Sequence, residues 1–192
     1  GAPRGEPIAM GRAWVNTAEF SPDAKTLATG TEDNSAMLWD WRSGKQVGAA
    51  MGNHQYGVEA ILFSPDGRRL YTRSVDSVRA WDAATQQQLG FAHTGAASTS
   101  MAISPDGRRL AVADYNYIQE WDATAGKAVG PMIGGRGHAA QDLAYNSDGR
   151  YLASVGADDT VRFWDLASGN QIGDAVDTAG VGTGDDVRFG PD

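Results

Sequence analysis

The chain has 192 residues, 41% of them apolar, and a formal net charge of −8 from 16 Lys and Arg against 24 Asp and Glu. This is the balance of an ordinary globular chain, and it excludes a disordered or collagenous one; the acidic field argues against nonspecific DNA or membrane-surface binding. Cysteine is absent, which removes disulfides, thiolate metal sites and a cysteine nucleophile and fits a reducing compartment.

No apolar run approaches the roughly 20 residues of a membrane-spanning helix, and residues 1–7 lack the apolar stretch of a secretory signal, so the cytoplasm is the default location. Residues 5–10, Gly-Glu-Pro-Ile-Ala-Met, read as one short strand. The segment 14–50 then carries Phe20-Ser21-Pro22-Asp23 and ends its apolar pattern at Trp39-Asp40. The next segment, 56–91, holds Phe63-Ser64-Pro65-Asp66-Gly67 and Trp81-Asp82; 97–133 holds Ile103-Ser104-Pro105-Asp106-Gly107 and Trp121-Asp122; 139–176 holds Tyr145-Asn146-Ser147-Asp148-Gly149 and Trp164-Asp165. Residues 183–189 close the pattern as a last single strand before Gly190-Pro191-Asp192. The Trp-Asp pairs stand 42, 40 and 43 positions apart and the Ser-Pro-Asp marker keeps the same beat, so the chain is an internal repeat.

Each unit is β. Runs such as 58–63, 70–74 and 78–81 are four to six residues long, too short for helices, and Ser-Pro-Asp-Gly between the first two is turn chemistry. Asp33-Asn34-Ser35 and Asp158-Asp159-Thr160 mark a second tight turn, and Ser43-Gly44-Lys45 and Ser168-Gly169-Asn170 a third. Every unit therefore holds four antiparallel strands, a to d.

The run from Leu152 to Asp165, with Gly156-Ala157-Asp158-Asp159 before Phe163-Trp164-Asp165, resembles the signature of the WD-repeat β-propellers, and the resemblance covers nearly the whole chain. It implies an all-β propeller of four-stranded antiparallel blades, with strand a innermost and d outermost. The d-strand phrases at 44–48 and 126–130 are similar to those of bacterial WD-repeat proteins, where such rings sit beside signalling domains. The resemblance also implies a hydrogen-bonded tetrad in each blade: a Trp on strand c, a Ser or Thr on strand b, a His before strand a and an Asp in the b-to-c turn. Blade two matches with His54, Thr72, Asp76 and Trp81, and blade four with His138, Ser154, Asp158 and Trp164. Blade one has Thr29, Asp33 and Trp39 but no histidine at 11–12, and blade three has His93 and Trp121 with Val112 at the hydroxyl position and Asn116 at the aspartate position, so these two are the looser blades.

Because His, Ser and Asp recur at the same place in each repeat, they read as structural tetrads and not as a hydrolase triad. No G-x-S-x-G elbow, H-E-x-x-H pair or phosphate-binding loop is present; the glycines at 180, 182 and 184 precede no helix-forming segment. No catalytic group, metal or cofactor is expected. Strand alternation puts the b-to-c and d-to-a loops on one rim, the top, which collects Arg12, Trp14, Glu32, Asn34, Tyr56, Tyr115, Asn116 and Asp159. Such a mixture of aromatic and charged groups suits a protein or peptide partner. Trp14 either packs between blades or anchors a partner. The opposite rim carries Lys25, Arg68, Arg69, Arg108, Arg109 and Arg150, as solvated hairpin charges or as a docking face for an acidic partner, while residues 170–192 hold five aspartates against Arg188.

The leading reading is a noncatalytic interaction scaffold; the alternative is a regulatory propeller of a larger bacterial kinase or ATPase. Four blades and two stray strands make an incomplete ring, because such rings usually have seven and roughly 100 more residues would be wanted. Completion by further chain segments or by self-association is expected.

Overall fold

The computed structural model describes residues 8, 13–92, 99–135, 138–178 and 186–190, and its backbone is strand and turn, with no helix among the described residues. Blade one is β1 (Val15–Phe20), β2 (Thr26–Thr31), β3 (Ala36–Asp40) and β4 (Lys45–Met51); blade two is β5 (Ala60–Phe63), β6 (Arg69–Arg73), β7 (Val78–Asp82) and β8 (Gln88–Ala92). Blade three is β9 (Ser100–Ile103), β10 (Arg109–Ala113), β11 (Ile118–Asp122) and β12 (Ala128–Ile133). Blade four is β13 (Ala140–Tyr145), β14 (Tyr151–Gly156), β15 (Thr160–Asp165), β16 (Asn170–Gln171) and β17 (Val176–Asp177). Each blade is a separate open sheet with its strands paired in chain order, except that β16 and β17 both pair β15. The chain divides into two compact units, residues 1–74 with 78–89, and residues 75–77 with 90–192.

The turns close through the side chains that recur with them. In blade two Ser64 Oγ donates to Asp66 Oδ1 at 2.6 Å, and the Arg68 and Arg69 N–H groups donate to Asp66 Oδ1 and Ser64 Oγ at 3.0 Å each. Blade four replaces the serine by Asn146, whose Oδ1 accepts Tyr151 N–H at 2.9 Å while its Nδ2 donates to Asp148 at 2.8 Å. The aspartate of each Trp-Asp pair does the same for the c-to-d turn. Asp82 Oδ1 accepts from Ala84 N–H, Thr85 N–H and Thr85 Oγ1–H, and Asp165 Oδ1 accepts from Ser168 N–H and Oγ–H.

Strand b is the most buried element. β2 and β14 are buried over their last four and five residues without alternation, the pattern of a short strand covered on both faces. In the first unit Leu38, Ile61, Phe63, Leu70 and Trp81 share one core; in the second Ile118, Leu143, Leu152, Trp164 and Leu166 share another. Within each unit the blades are also joined by polar groups: Val58 N–H donates to Thr31 O at 2.9 Å and Phe63 N–H to Glu19 Oε1 at 3.2 Å, while Thr99 Oγ1 donates to Ala140 O at 2.5 Å and Tyr145 Oη to Glu120 Oε1 at 2.8 Å.

Strands β4 and β12 are bulged. Leu38 pairs Val47 but Ala36 pairs Met51, and the same shift separates Glu120 and Val129 from Ile118 and Ile133. The residues that absorb it are Gly48 and Gly130, at φ +71° and +69°, a conformation glycine adopts without strain. In blade four Gly173, at φ +67°, opens the break between β16 and β17. A bulged outer strand presents an irregular edge, which protects it from pairing with another chain.

Of the two stray strands, residues 5–10 lie outside the described residues apart from Ile8. Residues 186–190 are described and form no strand, a difference from the reading of 183–189 as a strand. The physical reason is that a strand a is paired through its own strand b, and the described residues offer none. The segment still meets blade four: Val187 N–H donates to Asp142 Oδ2 on β13 at 2.8 Å, and Phe189 meets Phe163 on β15 edge to face at 6.3 Å.

Candidate interaction surface

The indole of Trp164 sets the frame of blade four. Its Nε1–H donates to Ser154 Oγ at 2.8 Å, and Ser154 Oγ lies 2.7 Å from His138 Nε2, whose ring places Nδ1 3.1 Å from Asp158 Oδ1. A carboxylate only accepts, so Nδ1 carries the imidazole proton and the serine hydroxyl donates to Nε2. The chain then runs in one direction, from indole to serine to imidazole to carboxylate, with every donor used. Burial lowers the His138 pKa below 6.5, and Arg162 adds to this against the pull of Asp158, so the ring is held neutral. Burial works to raise the Asp158 pKa, but donors from Thr160 and His138, with Arg162 at 2.6 Å, outweigh it and keep the carboxylate ionised.

Blade two repeats the inner part: Trp81 Nε1–H donates to Thr72 Oγ1 at 2.8 Å and His54 Nε2 stands 2.7 Å from the same oxygen. Asp76 Oδ2 accepts from Ser77 Oγ at 2.9 Å. In blade one Trp39 Nε1–H donates to Thr29 Oγ1 at 2.9 Å, and Asp33 Oδ1 accepts from the hydroxyls of Thr31 and Ser35. Blade three differs. Val112 faces Gln119 in the ladder where the others carry a hydroxyl, and Trp121 Nε1 is buried with no hydrogen-bond partner among the described residues. His93 lies outside the described residues.

The predicted top-rim residues fall in two groups, one on each unit, and Arg12 lies outside the described residues. On the first unit Glu32 N–H donates to Trp14 O at 3.0 Å, and Asn34, at φ +68°, donates from Nδ2 to Gln55 O at 3.3 Å. Tyr56 follows Gln55, with its carbonyl accepting Ser74 Oγ–H at 3.1 Å. These bonds set Trp14, Glu32, Asn34 and Tyr56 side by side; Trp14 is 76% exposed and Tyr56 56%. On the second unit Tyr115 is 59% exposed at the tip of the turn between β10 and β11, with Asn116 exposed beside it. Asp159 is exposed at φ +56°, and its carbonyl accepts from both N–H and Oγ1–H of Thr178.

Sequence reasoning missed what holds the blade-three turn. Asp114, buried, accepts Asn116 N–H at 2.6 Å and Tyr117 N–H at 2.8 Å, so the capping aspartate precedes the place assigned to Asn116 by two residues. An Asp followed by Tyr-Asn was the available signal, since aspartate bonds the backbone two residues on. On the opposite rim Lys25 pairs Asp23 at 3.1 Å, Arg108 approaches Asp106 at 4.0 Å, and Arg150 lies over the Tyr151 ring at 5.5 Å. Trp41, outside the Trp-Asp series, donates to Ala24 O at 2.9 Å, meets Phe20 edge to face, and carries Arg42 over its ring at 4.5 Å. Among the described residues no group of three or more His, Asp or Glu is placed to hold a metal ion, and no helix is long and apolar enough to cross a membrane.

The WD domain, G-beta repeat family matches residues 5–40 and 133–165. Those two segments are similar to WD40 repeats, and the four-stranded unit they belong to recurs in all four sheets. It is 25% identical over 179 residues to the nuclear distribution protein nudF of Aspergillus niger, covering 93% of this chain and 35% of that protein. It is 34% identical over 76 residues to the small ribosomal subunit protein RACK1 of Caenorhabditis elegans, covering 40% of this chain and 23% of that protein. The chain spans about a third of the length of the nuclear distribution proteins it matches. A chain of the mitotic checkpoint complex has the same fold, with a TM-score of 0.76 at 22% identity over 87% of this chain and 52% of that one. The relatives named are eukaryotic, and they lend no support to the bacterial likeness of the d-strand phrases.

Proposed function

We propose that this WD40 chain is a noncatalytic scaffold that presents its top rim to a protein or peptide partner. The observation that carries the reading is the pairing of exposed aromatic side chains with pinned backbone. Tyr115 projects from a turn capped by Asp114, and Tyr56 and Trp14 from loops tied to Ser74 and Glu32. Large aromatic groups held in place bind with little loss of side-chain freedom, which is why they dominate protein-binding surfaces. The His, Ser and Asp that would suggest hydrolysis are used up in the blade network, since Ser154 Oγ is engaged by both Trp164 and His138. The relatives that bear on function are WD40-repeat proteins, and the names of nudF and RACK1 carry no kinase or ATPase, so the regulatory-module alternative has no observation in its favour. The lack of cysteine supports a reducing compartment, the cytoplasm, and further blades, from the same protein or a second copy, complete the ring.

The test is site-specific crosslinking. A photoreactive phenylalanine at Tyr56 or Tyr115 should form a discrete adduct with a partner protein, while the same group at Arg108 on the other rim should not. Adducts from Arg108 alone, or from neither top-rim position, overturn the assignment.

A further inference from the structure

Two residues of the first unit have no task in the blade repeat. Trp14 stands six positions before Phe20, and the same count from Phe63, Ile103 and Tyr145 gives Gly57, Ala97 and Ala139. Glu32 stands five positions after Leu27, and the same count from Leu70, Leu110 and Leu152 gives Val75, Tyr115 and Ala157. A blade is therefore built without an indole at the first place and without a carboxylate at the second. Trp14 is nonetheless exposed, and an indole left in water forgoes the stabilisation that its burial would bring.

The backbone brings these two residues together with Tyr56. Glu32 N–H donates to Trp14 O at 3.0 Å. Gly57 comes so close to Glu32 that a methyl group on it would lie 3.1 Å from Glu32 Cα, and this contact places Tyr56 beside the same residue. Asn34 ties the two loops through its bond to Gln55 O at 3.3 Å. Glu32 is thus the residue that the two aromatic-bearing loops share.

Its carboxylate is uncommitted: the side chain is exposed and holds no hydrogen bond or ion pair among the described residues. Asp33 beside it accepts from the Thr31 and Ser35 hydroxyls, Thr31 first in lowering its pKa, and stays ionised. Of the cations on the neighbouring strands, Arg73 is buried against Glu59 at 2.9 Å and Arg79 turns to Gln88 on β8 at 3.3 Å. Arg12, which the repeat assigns to this rim, lies outside the described residues; counted in, it leaves two carboxylates against one cation.

We propose that Trp14, Glu32 and Tyr56 form a clamp for an arginine side chain of the partner. The chemistry selects it. A guanidinium stacks on an aromatic face and pairs a carboxylate through two parallel N–H bonds, whereas an ammonium is a point charge with stronger hydration. An acidic residue would meet Glu32 and Asp33, and a purely apolar one would cover Glu32 without pairing it. The clamp rests on the top-rim reading and names what that rim takes on the first unit.

Four pools of short peptides, random except for a central Arg, Lys, Gln or Glu, are titrated against the full chain and followed by NMR at the indole N–H signals, with Trp14 assigned through Trp14→Phe. The Arg pool should bind most tightly and move the Trp14 signal, the Lys pool should bind more weakly, and the Gln and Glu pools more weakly again. Glu32→Gln should lower the affinity of the Arg pool about fivefold and make it less sensitive to salt. Trp14→Ala should lower it about tenfold, and Tyr115→Ala, on the second unit, should leave it unchanged. No binding by any pool, a Lys, Gln or Glu pool equal to the Arg pool, or an Arg pool indifferent to Glu32→Gln overturns the clamp. The rim reading fails on a separate result, the lack of adducts from Tyr56 and Tyr115, so adducts there with the pools silent sink the clamp alone.

Discussion

Replacing Ser154 by alanine should cost about 3 kcal/mol. The serine is fully buried, and its single oxygen accepts from Trp164 Nε1–H at 2.8 Å and bonds His138 Nε2 at 2.7 Å. Removing it leaves two buried polar groups without a partner, each worth about 1 to 3 kcal/mol. The alanine itself creates almost no cavity, so the loss is of hydrogen bonds and not of packing. For a chain of this length 1 kcal/mol corresponds to roughly 2–4 °C in Tm, which places the fall at about 6–12 °C. Urea unfolding with hydrogen exchange resolved by blade is the assay, since exchange should rise in β14 and β15 before it rises elsewhere. Trp164→Phe closes the cycle: the pair should show a coupling of about 1 to 2 kcal/mol, because the second substitution removes a donor that has already lost its acceptor. A loss under about 0.5 kcal/mol, or additive effects, would refute the view that the network stabilises the blade.

The other predictions follow from neighbouring features. Val112→Thr in blade three is nearly isosteric and brings an acceptor toward Trp121 Nε1, so stability should rise by about 1 kcal/mol, read as a shift in the urea midpoint. Because the His138 pKa is lowered in the fold, the unfolded chain binds more protons just below pH 6.5; stability should be full above that pH and fall as acid is added, and His138→Gln should flatten this limb. A second loss should begin below about pH 4, when the turn aspartates protonate: Asp40, Asp82, Asp148 and Asp165 are lowered first by backbone N–H donors, and Asp23, lowered to about 2 first by the Ser21 hydroxyl, is the last to go. Gly130→Ala should destabilise the β11–β12 edge by about 1 kcal/mol, since alanine at φ +69° is strained, and exchange of that edge should quicken.

Much of the architecture was legible in the sequence because the repeat is marked twice, by Trp-Asp and by Ser-Pro-Asp-Gly, and each marker has one local task. Strand order and antiparallel pairing follow from turns too short for any other connection. The blade-four network was legible for the same reason: His138, Ser154, Asp158 and Trp164 sit at fixed places in the repeat, and hydrogen bonds join all four. What stayed hidden depends on geometry that spacing does not encode. The aspartate of Trp-Asp caps its own c-to-d turn, a role invisible when it is read only as the partner of tryptophan in a signature. The Val47-Gly48 and Val129-Gly130 pairs of strand d sit at bulges, although a glycine in a short apolar run was a signal of one. The blade-three turn is held by Asp114, two residues before Asn116, a place that counting from the signature does not reach because the spacing assumes the turn of blade four.

The central claim is that the blade networks hold the fold while the top rim binds. Parallel measurement of partner affinity and Tm for Trp14→Ala, Tyr115→Ala and Ser154→Ala, against the partner captured by crosslinking, tests it most directly. The two rim substitutions should lower affinity about tenfold or more with Tm unchanged, and Ser154→Ala should lower Tm. Rim substitutions that unfold the chain, or that leave both quantities untouched, would contradict it.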